Sequence, residues 1–85
     1  MNILTHSTKE QLRIDLLRPK TKLAAMRKSK NITTAQMAEK LGLSRRQYEL
    51  KENGKYPFND YEMLAITQKF NVDIQDIFLK NNISL

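Results

Sequence analysis

The sequence predicts an all-α fold, a compact bundle of five short helices, and three observations carry that prediction. Apolar residues recur at helical spacing in successive segments. Capping boxes of the form Ser/Thr/Asn-x-x-Glu/Gln stand at the head of three of them. Helix breakers are rare, with Gly and Pro at two each in 85 residues. Hydrophobic residues are 40% of the chain, which supplies a small core and argues against wholesale disorder. There is no cysteine, so neither a disulfide nor a thiolate zinc site staples the fold.

The elements follow in order. Residues 1–18 form an N-terminal arm with two possible readings. Ser7-x-x-Glu10 starts a helix through Leu12 and Leu16, whereas Leu12, Ile14 and Leu16 alternate with Arg13 and Asp15 at a strand's period. The alternation favours an extended arm, and a short helix stays open. Pro19 suits the first turn of a helix that runs to about Lys30, with Leu23, Met26 and Arg27 on one face and Asn31 at its stop. Thr33-x-x-Gln36 opens the second helix, which carries Met37, Ala38 and Leu41 and ends at Gly42. Ser44-x-x-Gln47 opens the third, which ends at Asn53-Gly54. Asn59-x-x-Glu62 opens the fourth, with Met63, Ile66, Thr67 and Phe70 at i, i+3, i+4, i+7 and Asn71 at its stop. Asp73 caps a short fifth helix containing Ile74, Ile77 and Phe78. The domain therefore spans 19–80, and 81–85 form a tail.

The net charge of +6 is unevenly placed. Residues 1–59 carry +8 and residues 60–85 carry −2. A localised positive surface is what a polyanion partner requires, and generic solubility does not. No apolar run approaches the ~20 residues of a membrane span. The N-terminus lacks the basic-then-apolar layout of a signal peptide. We therefore expect a soluble, cytoplasmic chain with no membrane partner.

The span Thr34–Asn53 carries the functional signal. One helix ends at Leu41, turns through Gly42-Leu43-Ser44 and restarts at Arg45. Helices joined so tightly cross closely, which calls for a small residue such as Ala38 at the crossing. Gly42 supplies the positive φ and Leu43 tucks under the corner. This is the layout of a helix-turn-helix, although an ordinary helical hairpin with a glycine cap has the same turn.

The flanks decide between them. Leu23-x-x-x-Arg27, then ITTAQMAEKLGLSRRQYELKENGK, then Pro57, then FNVDIQDIF resembles the lambda-repressor/Cro-like helix-turn-helix family, also called the XRE family, over about two thirds of the chain. Ala38, Gly42, Ser44, Glu52 and Gly54 stand in register with its consensus. Three positions depart from it. Tyr48 replaces a branched aliphatic, Lys51 an apolar residue and Thr34 a glutamine. Lys51 is expected to lay its methylenes on the core and send its ammonium outward.

The resemblance implies a recognition helix at about 45–53 in the DNA major groove. Arg45, Arg46 and Leu50 match its base-contacting positions, with Gln47 beside them. Arginine reads guanine O6/N7, glutamine reads adenine N6/N7, and Leu50 suits a thymine methyl. Two arginines in a helix's first turn oppose the macrodipole, which a merely solvated helix start has no reason to do. Thr33, Thr34, Ser44, Asn53, Lys55 and Tyr56 fall at backbone-contacting places, where hydroxyls, amides and helix ends bind phosphate. Thr33 and Ser44 serve equally as plain caps. Arg27 and Glu52 match a structural ion pair. Tyr48, Met37, Met26 and Phe70 are expected in the core, and Tyr56, Phe58 and Tyr61 beside the DNA face or at a dimer surface.

One histidine, His6, and no glycine-rich phosphate loop leave no catalytic, cofactor or metal constellation. The expectation is a DNA-binding transcriptional regulator, a repressor or Cro-like switch, acting as a homodimer on a palindromic operator. The dimer surface is expected in the arm, the fifth helix or the tail. The alternative is a protein-binding module on the same fold, an antirepressor or antitoxin-like partner using the arm. RNA binding is weaker, because stacking aromatics are scarce on the basic face.

Overall fold

The computed structural model of the chain describes residues 8–11 and 17–79, and these are all-helical or in connections, with no strand among them. Four α-helices, α1 (Thr21–Ser29), α2 (Thr34–Leu41), α3 (Arg45–Glu52) and α4 (Asp60–Phe70), are followed by a five-residue π-helical segment, α5 (Gln75–Leu79).

The helix starts are written in the local sequence. Thr33 Oγ1 accepts the N–H of Gln36 (3.1 Å) and Gln36 Oε1 accepts the N–H of Thr33 (2.9 Å). Ser44 and Gln47 make the same reciprocal pair at 3.1 and 3.0 Å. Glu62 Oε1 accepts the N–H of Asn59 (2.8 Å), and Asp73 Oδ1 that of Gln75 (2.8 Å). Each bond satisfies an amide that the first helical turn leaves without a partner.

The four α-helices also share one ending. A left-handed residue follows each: Asn31, Gly42, Gly54 and Asn71, at φ 58°, 71°, 80° and 52°. The next residue's N–H then reaches back to a carbonyl in the last turn. These bonds are Ile32 to Arg27 (3.1 Å), Leu43 to Ala38 (2.9 Å), Lys55 to Leu50 (2.8 Å) and Val72 to Thr67 (3.1 Å). The repeated closure keeps every connection short.

In the arm, residues 9–11 are helical, with Thr8 Oγ1 accepting the N–H of Gln11 (3.1 Å). The alternation over 12–16, on which the extended reading rests, lies outside the described residues, as do Ser7, His6 and the tail. One expectation needs correction: α1 begins at Thr21, not at Pro19. Lys20, at φ −86° and ψ 72°, is outside the helical region and serves as the cap, its N–H held by the carbonyl of Glu52 (2.8 Å).

The core is Leu23, Met37, Ala38, Tyr48, Phe58, Ile66, Ile77 and Phe78, all buried. Met26, Leu41, Leu43, Met63 and Phe70 pack partly buried around it. Phe58 belongs to this core and not to the outer wall expected of it. Its ring sits edge-to-face between Tyr48 (6.0 Å, 63°) and Phe78 (5.4 Å, 70°), an arrangement favoured by the ring quadrupoles. Tyr56 and Tyr61 do stay exposed.

Candidate nucleic-acid interface

The corner between α2 and α3 holds the site in place. Ala38, 1% exposed, occupies the place where the helices approach, and Gly42 turns the chain in the left-handed region with open space around its Cα. Ser44 starts α3 in its reciprocal cap. Tyr48, fully buried one turn later, pins the inner face of α3 to the core. The opposite consequence follows for Arg45, Arg46 and Gln47, which are exposed on the first turn. Leu50 is half-buried.

The far end of α3 is equally defined. The carbonyl of Leu50 accepts the N–H groups of both Lys55 (2.8 Å) and Tyr56 (3.3 Å). Asn53, Lys55 and Tyr56 are thereby held exposed just past the helix. Thr33 is exposed at the head of α2, its hydroxyl oxygen already used in its cap.

Beyond the caps at Thr33 and Ser44, three of the expected contact residues have polar atoms engaged. The hydroxyl of Thr34 donates to Glu49 Oε2 (2.6 Å), and the Nε of Arg45 lies 3.8 Å from the same oxygen. Glu49 thus ties the head of α2 to α3. It was missed as a site residue, although its i, i+4 spacing from Arg45 was a readable signal. Gln47 Oε1 is held by the N–H of Ser44. Its amide nitrogen can donate, but the donor–acceptor pair that reads adenine on two atoms is not available while the cap holds.

Arg27 and Glu52 are joined by two parallel bonds, Nε to Oε2 (2.9 Å) and Nη2 to Oε1 (3.0 Å), with both side chains 8% exposed. Arg27 Nη1 also donates to the carbonyl of Ile32 (2.8 Å), and the Tyr48 hydroxyl donates to Glu52 Oε2. This network locks α1, its C-terminal turn and the end of α3 together. The hydrogen bond to Glu52 raises the Arg27 pKa above its ordinary value. Burial first, and the Glu52 bond second, push the Tyr48 phenol well up.

Lys51 departs from its expectation. Its ammonium turns to Glu62 on α4, 2.6 Å from Oε1 and 2.9 Å from Oε2, and is not sent out to solvent. A carboxylate 1% exposed needs a cation, and Lys51 is the one within reach. Sequence reasoning missed this pair because α3 and α4 contribute one member each.

Among the described residues, no helix is long and apolar enough to cross a membrane, and no group of His, Cys, Asp and Glu is arranged to hold a metal ion. No curated protein and no solved structure matches the chain. A family model described as a helix-turn-helix domain matches residues 21–83 of the 85, from the first residue of α1 to beyond α5. With the capped α2-turn-α3 corner described above, that match means that the chain belongs to the helix-turn-helix domain family.

Proposed function

We propose that this chain is a sequence-specific double-stranded DNA-binding regulator, a repressor or Cro-like switch whose α3 enters the major groove. One observation carries the reading. Arg45 and Arg46 stand exposed on the first turn of α3, where the positive end of the helix dipole disfavours them. The exposed Arg45–Glu49 pair at 3.8 Å is worth too little to account for that placement, and contact with guanine edges in an electronegative groove does account for it.

In this reading Arg45 and Arg46 read bases, Leu50 offers its exposed part to a thymine methyl, and Gln47 donates through its amide nitrogen. Ser44, Thr33, Asn53, Lys55 and Tyr56 flank them as phosphate contacts. Thr34 acts indirectly, by holding Glu49. A homodimer on a palindrome with half-sites about one helical turn apart supplies the affinity that so small a module lacks alone. The dimer surface expected in the arm, the fifth helix or the tail belongs to this reading; on α5, Ile77 and Phe78 face the core while Gln75 and Asp76 are exposed.

The test is selection of bound sites from random duplex DNA, followed by a salt titration. An enriched motif and a steep fall of affinity with salt are expected. Arg46→Ala relaxes base preference, whereas Lys55→Ala weakens all sequences alike. Absence of a motif, with weak salt-independent binding, overturns the reading and leaves the protein-binding alternative.

A further inference from the structure

The first turn of α3 is closed by a reciprocal pair that holds Gln47 at both its ends. Its Oε1 accepts the N–H of Ser44 (3.0 Å), and its own backbone N–H donates to Ser44 Oγ (3.1 Å). The residue is nonetheless exposed. The cap thus consumes the acceptor of the side-chain amide and leaves a partner only the nitrogen, with its two N–H donors. Giving Oε1 to a base instead would strip the Ser44 N–H of its partner at the helix start.

The neighbours on the same turn are of one kind. Arg45 and Arg46 are exposed, and a guanidinium donates without accepting. Glu49, a turn later, has its Oε2 occupied by the Thr34 hydroxyl (2.6 Å), with Arg45 Nε at 3.8 Å. Leu50 is apolar. The side chains of residues 45–47 therefore offer a groove hydrogen-bond donors and no free acceptor.

Base pairs differ in what they return to such a surface. A G·C pair sets two acceptors side by side, guanine O6 and N7. In an A·T pair the acceptors are adenine N7 and thymine O4, and the adenine amino group stands between them. A side chain that only donates meets a second donor there, and neither is satisfied. Such a mismatch discriminates as much as a good contact does.

We propose that Gln47 is a specificity-determining residue that selects a G·C pair and rejects A·T, because its cap allows its side chain only to donate. The proposal deepens the reading of α3 as a recognition helix and rests on it. It reverses the base expected of a glutamine whose amide is free at both atoms. With the two arginines beside it, it makes the part of the half-site under the first turn rich in guanine.

The experiment selects bound sites from random duplex DNA with the full chain, with Gln47→Glu and with Gln47→Ala. Glutamate keeps an acceptor for the Ser44 N–H and removes the donor, so Gln47→Glu should unfold at or above the temperature of the unaltered chain. Gln47→Ala removes both and locates the same position independently. The unaltered chain is expected to prefer G·C at one position per half-site where both variants lose the preference. The other positions keep theirs. Placing A·T at that position should weaken the unaltered chain about five- to tenfold, the lower part of the range for one mismatched pair, and leave both variants nearly unaffected. A preference for A·T at the position that responds to Gln47 overturns the proposal, as does a motif in which no position responds. If the unaltered chain enriches no motif, the reading of α3 fails and this proposal with it. A motif indifferent to Gln47 removes this proposal alone.

Discussion

Lys51 and Glu62 form an ion pair between α3 and α4, with Nζ 2.6 and 2.9 Å from the two carboxylate oxygens and the glutamate side chain 1% exposed. Glu62 Oε1 also accepts the N–H of Asn59. One carboxylate therefore starts α4 and ties it to α3. Lys51→Met strands a buried charge, and we expect it to destabilise the fold by about 3–5 kcal/mol. Lys51→Met with Glu62→Gln removes the charge, keeps an acceptor for Asn59, and should recover most of that loss. Urea denaturation of the singles and the double, read as a double-mutant cycle, checks this. A cost below ~1 kcal/mol for Lys51→Met would mean that the pair behaves like an exposed one.

The Tyr48 phenol gives the fold an alkaline signature. Its folded pKa is raised above the ordinary 10.0, by burial first and then by its bond to Glu52. A raised folded pKa contributes stability that is complete below the unfolded value and is lost as pH climbs beyond it. Tyr48→Phe should lower stability by about 1.5–3 kcal/mol at neutral pH, the range for a hydrogen bond to a charged group. The gap to the unaltered protein should then narrow above pH 10, because only the unaltered protein pays for keeping that phenol neutral. Tyr56 and Tyr61 are present in both proteins and cancel. Unfolding midpoints followed from neutral pH upward test this, and a constant gap contradicts it.

The contrast between legible and hidden features follows sequence distance. The boxes at Thr33 and Ser44 close within three residues, and so can be read from the chain alone. The left-handed stops at Asn31, Gly42 and Asn71 are similarly local. Arg27 and Glu52 lie 25 positions apart, and only resemblance to a family paired them. Lys51 with Glu62, Phe58 between Tyr48 and Phe78, and Arg18 against Gly54 each depend on how whole elements cross. No periodicity encodes that. Gly54 was readable as a helix stop, but its second task, admitting the backbone of Arg18 and Pro19, was not. At the interface, exposure of Arg45 and Arg46 follows from their register with Tyr48. The engagement of Thr34 with Glu49 does not, because it spans two helices.

Glu49 is the acidic residue among the basic ones, and its neighbours define what its removal does. Its Oε2 accepts the Thr34 hydroxyl and faces Arg45 Nε at 3.8 Å. Both members of the Arg45 pair are well exposed, so the attraction is screened and worth at most ~1 kcal/mol. Glu49→Gln should raise affinity for duplex DNA by no more than about fivefold, the same on selected and scrambled sequences, as a negative charge leaves the surface. Titrations of both duplexes at one fixed salt concentration check it. A gain restricted to the selected sequence would instead show that Glu49 steers Arg45 onto a base.

Gly42 and Gly54 share a positive φ and differ in surroundings, which makes them a controlled pair. At φ 71° Gly42 has nothing within 4 Å of an added Cβ, so its only demand is conformational. Gly42→Ala should cost about 1–2 kcal/mol, the penalty of a left-handed L-residue. Gly42→Asn should recover much of it, since asparagine visits that region readily. Gly54, at φ 80°, has Arg18 and Pro19 backbone atoms at 2.4–2.7 Å from the same point. Any side chain there must displace that backbone and disturb the bond from Lys20 N–H to Glu52. Gly54→Ala should therefore be the more damaging of the two alanines, and Gly54→Asn should give no recovery, because its Cβ meets the same atoms. Thermal unfolding of the four variants separates the two demands. Asparagine restoring stability at both positions would mean that the backbone before α1 yields easily and that Gly54 serves only its φ.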